Sequence, residues 1–161
     1  VELGLRSGFG DDYLRIGSVK AFADGALGPQ TAAMFQPYEG SPENQGLLFL
    51  DSEELYAQAK LASESGLSMA VHAIGDRAVH ETLDAYAHLR QYEQEHDLPA
   101  RRHRIEHVQL IHPQDANRLA ELDIIASMQP IHAPSDMQMA DRYWGSWKIR
   151  QALPGKLAIG W

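Results

Sequence analysis

The sequence predicts an α/β chain of parallel β/α units, and two observations predict it. Short apolar, β-rich runs recur along the chain, and segments with helical spacing lie between them. The runs are Leu14–Phe22, Leu67–Ala73, His103–Val108 and Ile124–Gln129, with Leu157–Trp161 as the beginning of a fifth. Each reads as a strand buried on both faces, as parallel strands usually are. Strands alternating with helices in this way imply right-handed crossovers and one parallel sheet.

The helices follow in order. In DSEELYAQAKLASESG, Asp51 or Ser52 is placed to cap the first turn, Glu53 and Glu54 suit the helix dipole, and Gly66 supplies the stop. Leu55, Ala59 and Ala62 mark its inner face. A second helix, from Gly75 to about Gln94, carries Val79, Leu83, Tyr86 and Leu89 at steps of three and four. The third, His112–Leu122, opens with Pro113 in its first turn. Two connections are longer than ordinary crossovers. Residues 25–49 form a Gly/Pro-rich loop after the first strand, and residues 130–149 form another after the fourth.

Composition narrows the function classes. The 22 acidic against 14 basic residues give a net charge of -8, and no Lys/Arg run offers the footprint of a nucleic-acid binder. The absence of cysteine excludes disulfides and thiolate metal sites and leaves His, carboxylates or a modified lysine to hold an ion. No apolar stretch approaches the ~20 residues a membrane-spanning helix needs, so a cytoplasmic protein acting on a small molecule is the expectation. Val1 has no methionine before it and the last strand stops at Trp161, so residues 1–161 read as an excerpt of a longer chain.

The unusual polar residues fall within or at the ends of the strands: Lys20 in SVKAFADG, His72 in AVHAIGD, His107 in RIEHVQ and Gln129 in SMQPIH. The carboxyl ends of parallel strands open into one crevice, where such folds place ligands and catalysis. Each residue also has a structural reading. His72 or His107 alone is a hydrogen-bonded core histidine as readily as a ligand, but on adjacent strands roughly 5 Å apart the two can share an ion. A lysine embedded in an apolar strand must snorkel, pair with Glu106 or Asp24, lose its proton or be chemically changed. His80, His88 and His96 recur every eight residues, which rotates each by roughly 80° from the last, so they share no helix face and read as solvent-facing. His103 and His112 are similarly unremarkable. His132 follows a strand end within a long loop and suits a substrate contact. Asp24 and Gly25 also lie within reach of a substrate by position, as does Asp76, for which helix capping is the favoured reading. Trp144 and Trp147 are placed to wall an apolar pocket, and Arg104 and Glu106 to support His107 or pair with each other.

The ordered set SVKAFADGALG, AVHAIGDRAV, HRIEHVQLI, IIASMQPIHAPSD and LAIGW resembles the middle of a metal-dependent hydrolase of the amidohydrolase superfamily, in its family-3 (YtcJ-like) branch. The resemblance covers nearly the whole chain. It implies part of a TIM-type (β/α)8 barrel, about its fourth to eighth strands, so that 1–161 would be one partial barrel domain. It further implies one or two divalent ions, usually zinc, held by Lys20, often carboxylated in the family, with His72 and His107. Asp24, Gly25, Gln129 and His132 are then the candidate substrate contacts. The implied reaction is hydrolysis of a non-peptide C–N bond through a metal-activated water.

The chain departs from that pattern in having no His-x-His pair, and the expected catalytic aspartate would lie beyond Trp161. An excerpt of this kind is expected to be inactive alone and, with open sheet edges, prone to self-association. Two rival readings remain. One is a β/α-barrel lyase that uses Lys20 as a Schiff-base amine. The other is a degenerate, non-catalytic barrel module. Metal content separates the first rival from the hydrolase.

Overall fold

The structure, a computed structural model, describes residues 4–149. Four strands, β1 (Ser18–Phe22), β2 (Ser68–Ala73), β3 (Arg104–His107) and β4 (Ile125–Ser127), form one sheet in the order β1-β2-β3-β4. All three pairings are parallel. The α/β class and the alternating order are those the sequence predicts. The anticipated strand at Leu157–Trp161 lies outside the described residues.

Helix α1 (Ser52–Glu64) starts where its polar residues dictate. The Asp51 side chain accepts from the Glu54 N–H, the Glu54 side chain accepts from the Asp51 N–H, and Gly66 follows the end with φ +80°. Helix α2 (Asp76–Glu95) buries Ala78, Val79, Thr82, Leu83, Ala85, Tyr86, Leu89 and Glu93. Together α1 and α2 cover one face of the sheet, and Leu55, Met69, Val71, Val79, Leu83, Tyr86, Leu89 and Ile105 make the main core.

Several expectations are corrected. β1 begins at Ser18, because residues 10–15 form a separate bridged turn that leaves Tyr13 and Leu14 exposed. β4 is shorter than Ile124–Gln129. The third helix divides into a 3₁₀ turn, Pro113–Asp115, and α3 (Arg118–Glu121), with the Asp115 side chain drawn inward to His80 and Arg118. Residues 130–149 are not a loop: α4 (His132–Ile149) fills most of them, with Pro134 tolerated in the first turn and the chain kinked at Gly145, φ 71°. Burial on both faces holds for Met69, Ala70 and Val71 of β2, whereas Lys20 and Phe22 of β1 and Arg104 of β3 are exposed among the described residues.

The role of His103, given no functional part by the sequence reading, is structural, for its side chain is fully buried at the start of the β3 run. Its Nδ1 accepts from the Met69 N–H at 3.0 Å, which leaves the proton on Nε2 to donate to Glu93 at 3.2 Å. Glu93 also accepts from the Ser63 hydroxyl at 2.6 Å and from Arg90 at 2.7 Å, while Arg90 donates to the carbonyls of Arg101, Leu122 and Asp123. One buried carboxylate thus joins α1, α2, β2 and β3 at the amino ends of the strands. Burial alone would raise Glu93, but the hydrogen bonds from His103, Ser63 and Arg90 outweigh it and hold the carboxyl at about 2.

The native carboxyl is therefore more acidic than the unfolded one, whose ordinary value is 4.5. Its contribution, on the order of 3 kcal/mol, is complete above pH 4.5 and is lost as the pH falls toward 2. Glu93→Gln is expected to remove most of that dependence, and urea unfolding of both proteins between those pH values checks it.

Candidate metal centre

At the carboxyl end of the sheet the polar groups converge as the strand-end argument predicts. His72 lies within β2 one residue before its end, opposite Phe22 on one side and Glu106 on the other. Its Nε2–H donates to the Gly25 carbonyl at 2.7 Å, and since a carbonyl only accepts, the lone pair of the neutral ring sits on Nδ1. This is the usual arrangement of a ligating histidine, one nitrogen oriented by backbone and the other left to bind.

His107 reaches the same place by a different route. It is paired with Ala73, so strict alternation would turn its side chain to the face opposite His72. Instead His107 and Val108 have φ of 77° and 49°, left-handed values that are uncommon for residues other than glycine. The pleat breaks, and the His107 ring stands edge-on to His72 with centroids 4.6 Å apart. Its Nδ1 is buried and makes no hydrogen bond of ordinary geometry among the described residues, while the Gln129 side chain faces the ring as an acceptor. Backbone strain beside an orphaned imidazole nitrogen is characteristic of functional sites.

Burial lowers the proton affinity of both rings. For His107 the neighbouring His72 and Lys20 lower it further and the Gln129 side chain partly opposes them; for His72 the Gly25 hydrogen bond partly opposes the shift. Both histidines are therefore biased to the neutral form that metals require. Lys20 is not embedded as its sequence context implies. It is exposed on β1, with its ammonium 4.6 Å from the Phe22 ring centroid. Desolvation nevertheless lowers its pKa against the opposing charge of Glu106, with Arg104 adding to the lowering.

The remaining candidates divide into supports and rim. Asp24 is 1% exposed, and its carboxylate accepts from the N–H groups of Ala33, Ile74 and Gly75 at 2.8–3.0 Å. Burial pushes it up to about 7 against the pull of those three donors. It is thus a brace, 3.5 Å from His72 Nε2, rather than a group open to substrate. Gly25 is likewise occupied through its carbonyl, and a Cβ there would meet the Thr31 hydroxyl at 2.1 Å. The capping reading of Asp76 is corrected: Gly75 is the N-cap of α2 and no side chain caps it, while Asp76, the first helical residue, accepts from the N–H groups of Arg77 and of Phe35 in the long loop.

Gln129 and His132 stay at the rim. The Gln129 amide donates to the Ser127 carbonyl, and the His132 ring lies 5.8 Å from that of His107. Two neighbours escaped sequence reasoning: Asp136, 3.8 Å from His132 Nδ1, and Gln109, which donates to Asp136 at 3.3 Å. The i,i+4 spacing of His132 and Asp136 was the available signal, hidden by reading their segment as a loop. Trp144 is buried with Leu27, Met34, Tyr38, Ile74 and Leu110 in a second apolar cluster between the 25–49 loop and α4. The Trp147 side chain lies outside the described residues.

Among the described residues no three His, Cys, Asp or Glu side chains gather tightly enough to hold an ion by themselves. The donor set nonetheless fits a metal: two neutral imidazoles in edge contact, one with an orphaned nitrogen, beside a lysine of lowered proton affinity.

Comparison with known proteins agrees with the geometry. The profile of the amidohydrolase family matches residues 1–159. The chain is 41% identical over 135 residues to Protein LONG AFTER FAR-RED 3 of Arabidopsis thaliana, covering 84% of this chain and 23% of that protein. It is 33% identical over 148 residues to the putative amidohydrolase YtcJ of Bacillus subtilis (strain 168), covering 91% of this chain and 27% of that one. The crystal structure of an uncharacterized metal-dependent hydrolase from Pyrococcus furiosus superimposes with a TM-score of 0.78 at 35% identity, over 94% of this chain and 30% of that chain. The chain therefore spans about a quarter of the length of these curated relatives, and its sheet is part of a β/α barrel.

Asp24→Ala leaves three buried N–H groups without an acceptor, and each such loss costs roughly 1–3 kcal/mol. Denaturant unfolding is expected to show a loss of several kcal/mol, well beyond that of Asp76→Ala, whose carboxylate serves a more exposed helix start. Equal losses would show that Asp24 is not the brace.

Proposed function

Because the chain belongs to the amidohydrolase family, we propose that the whole protein is a metal-dependent hydrolase of non-peptide C–N bonds, and that residues 1–161 are one partial barrel domain of it. The observation that carries this reading is the His72–His107 pair, brought into edge contact by the left-handed backbone at His107 and biased by burial to neutral rings. In the same reading the protein is cytoplasmic and takes a small-molecule substrate, and these residues alone are inactive. Among the described residues no helix is long and apolar enough to cross a membrane.

Lys20, His72 and His107 would hold one or two divalent ions, zinc foremost. When bound, such an ion supplies activation of water and polarisation of the scissile carbonyl. The protein's own contributions are positional. The Gly25 carbonyl fixes the His72 tautomer, and Asp24 fixes Gly25 by pinning the loop at Ala33 to the start of α2. The lowered proton affinity of Lys20 enlarges its fraction of neutral amine, the form that adds carbon dioxide to give an anionic carbamate with loss of one proton. His132 and Gln129, beside His107, would meet the substrate. The Trp144 cluster limits access of water from the α4 side.

Metal analysis of the purified full-length protein is expected to find divalent metal, and His72→Ala or His107→Ala to lower metal affinity by at least about 100-fold. Chelation should abolish amine release from an anilide such as p-nitroacetanilide, and added zinc should restore it. Borohydride trapping of a carbonyl substrate on Lys20 in metal-free protein would instead select the lyase reading.

A further inference from the structure

The candidate centre is flanked by different chemistry on its two sides. Four rings follow one another across the sheet, Phe22, His72, His107 and His132, with successive centroids 5.2, 4.6 and 5.8 Å apart. Phe22 stands on β1 and Gln129 follows β4, so the two flanks belong to opposite edges of the sheet. On the β4 side the surroundings are polar. The Gln129 side chain faces the His107 ring, and His132 leads on to Asp136 and Gln109. On the β1 side the group beside His72 is an apolar ring.

Phe22 is the last residue of β1 and pairs in register with His72, so both side chains fall on one face of the sheet. Its ring is held from two sides. It leans on the His72 ring at an interplanar angle of 38°, and the Lys20 ammonium lies 4.6 Å from its centroid. Even so, Phe22 is 51% exposed among the described residues. A ring this open, fixed against two of the three groups that would hold the ion, is a preorganised apolar surface for whatever the ion binds. The two residues after Ala23 do not serve that purpose, because Asp24 is buried among backbone N–H groups and the Gly25 carbonyl is taken by His72.

We propose that Phe22 is a specificity-determining residue, the wall for the acyl group of the substrate, and that it selects acyl groups in which an aryl ring is joined directly to the scissile carbonyl. The unlike flanks set the direction. A C–N substrate held at the ion through its carbonyl oxygen carries carbon on one side and nitrogen on the other. The nitrogen suits the polar flank at Gln129 and His132, which leaves the acyl substituent to Phe22. The scissile bond and the direction rest on the hydrolase reading above; the aromatic, apolar character of the wall rests on Phe22 alone.

The test compares equilibrium binding of benzohydroxamate and acetohydroxamate to the zinc-loaded full-length protein by titration calorimetry. Both probes chelate an ion through the same two oxygens and differ only in the acyl group. The wild type is expected to bind benzohydroxamate about tenfold more tightly, the upper end of what one aromatic pair contributes. Phe22→Ala should remove most of that preference. Phe22→Leu fills the space without a ring, is expected to do the same, and serves if the alanine variant does not fold. Equal binding of the two probes by the wild type, or a preference that survives in a folded variant, overturns the proposal and assigns the ring to packing. Equal binding leaves the metal-dependent reading standing, whereas binding of neither hydroxamate by the wild type takes both down.

Discussion

The carboxylate of Asp24 is the constraint on which the carboxyl end of this sheet depends. Three backbone N–H groups from separate stretches, Ala33 in the long loop and Ile74 and Gly75 after β2, converge on it. That convergence brings the loop so close to the start of α2 that a Cβ on Gly75 would lie 2.0 Å from the Ala33 carbonyl oxygen. Gly75 is therefore required by approach rather than by φ. Directly after Asp24 comes Gly25, whose carbonyl accepts from His72, so the same brace sets the ring that the site needs. A buried carboxylate is expensive, and here it is tolerated because its acceptor capacity is filled by donors that would otherwise be orphaned themselves.

The two ends of the sheet use buried polar groups in opposite ways. At the amino ends of the strands, His103 has both ring nitrogens engaged, by Met69 and by Glu93, and Glu93 collects three donors. At the carboxyl ends, the buried Nδ1 of His107 makes no hydrogen bond of ordinary geometry among the described residues, and the Gln129 side chain faces its ring. Both histidines lie in or beside β3, four positions apart. What separates the structural histidine from the proposed ligand is satisfaction, not burial: both ring nitrogens of His103 are engaged, and His107 keeps Nδ1 without a hydrogen bond of ordinary geometry among the described residues.

Over the carboxyl end lies a roof. The 25–49 loop and α4 share the apolar cluster of Leu27, Met34, Tyr38 and Trp144, and the Glu39 N–H donates to the Tyr143 carbonyl where the helix kinks. Gly145 permits that kink, since its φ of 71° suits glycine and a Cβ would meet the Glu39 carboxylate at 2.5 Å. Loop and helix thus hold one another, and both hang from Asp24 through Ala33.

Much of this was legible in the residues. The alternation of apolar runs with helical spacing gave the parallel sheet, the Asp51–Glu54 box gave the start of α1, and polar residues in and near strand ends gave Lys20, His72 and His107 as one constellation. These features are local: periodicity and capping act over a few residues and leave their mark on composition. Tertiary structure decided what depends on contacts distant in sequence. His103 and His107 look alike in a β-rich run, and only Glu93 and Met69, brought near by folding, make the first a buried strut. α4 was hidden by its proline and glycine, which read as breaks until the first turn absorbs Pro134 and Glu39 packs beneath Gly145. Above all, the period of two along β3 would send His107 away from His72. The left-handed turn at His107 and Val108 reverses that, and no pattern of residue types announces a backbone conformation that only the packed sheet and its crossing connections can hold in place.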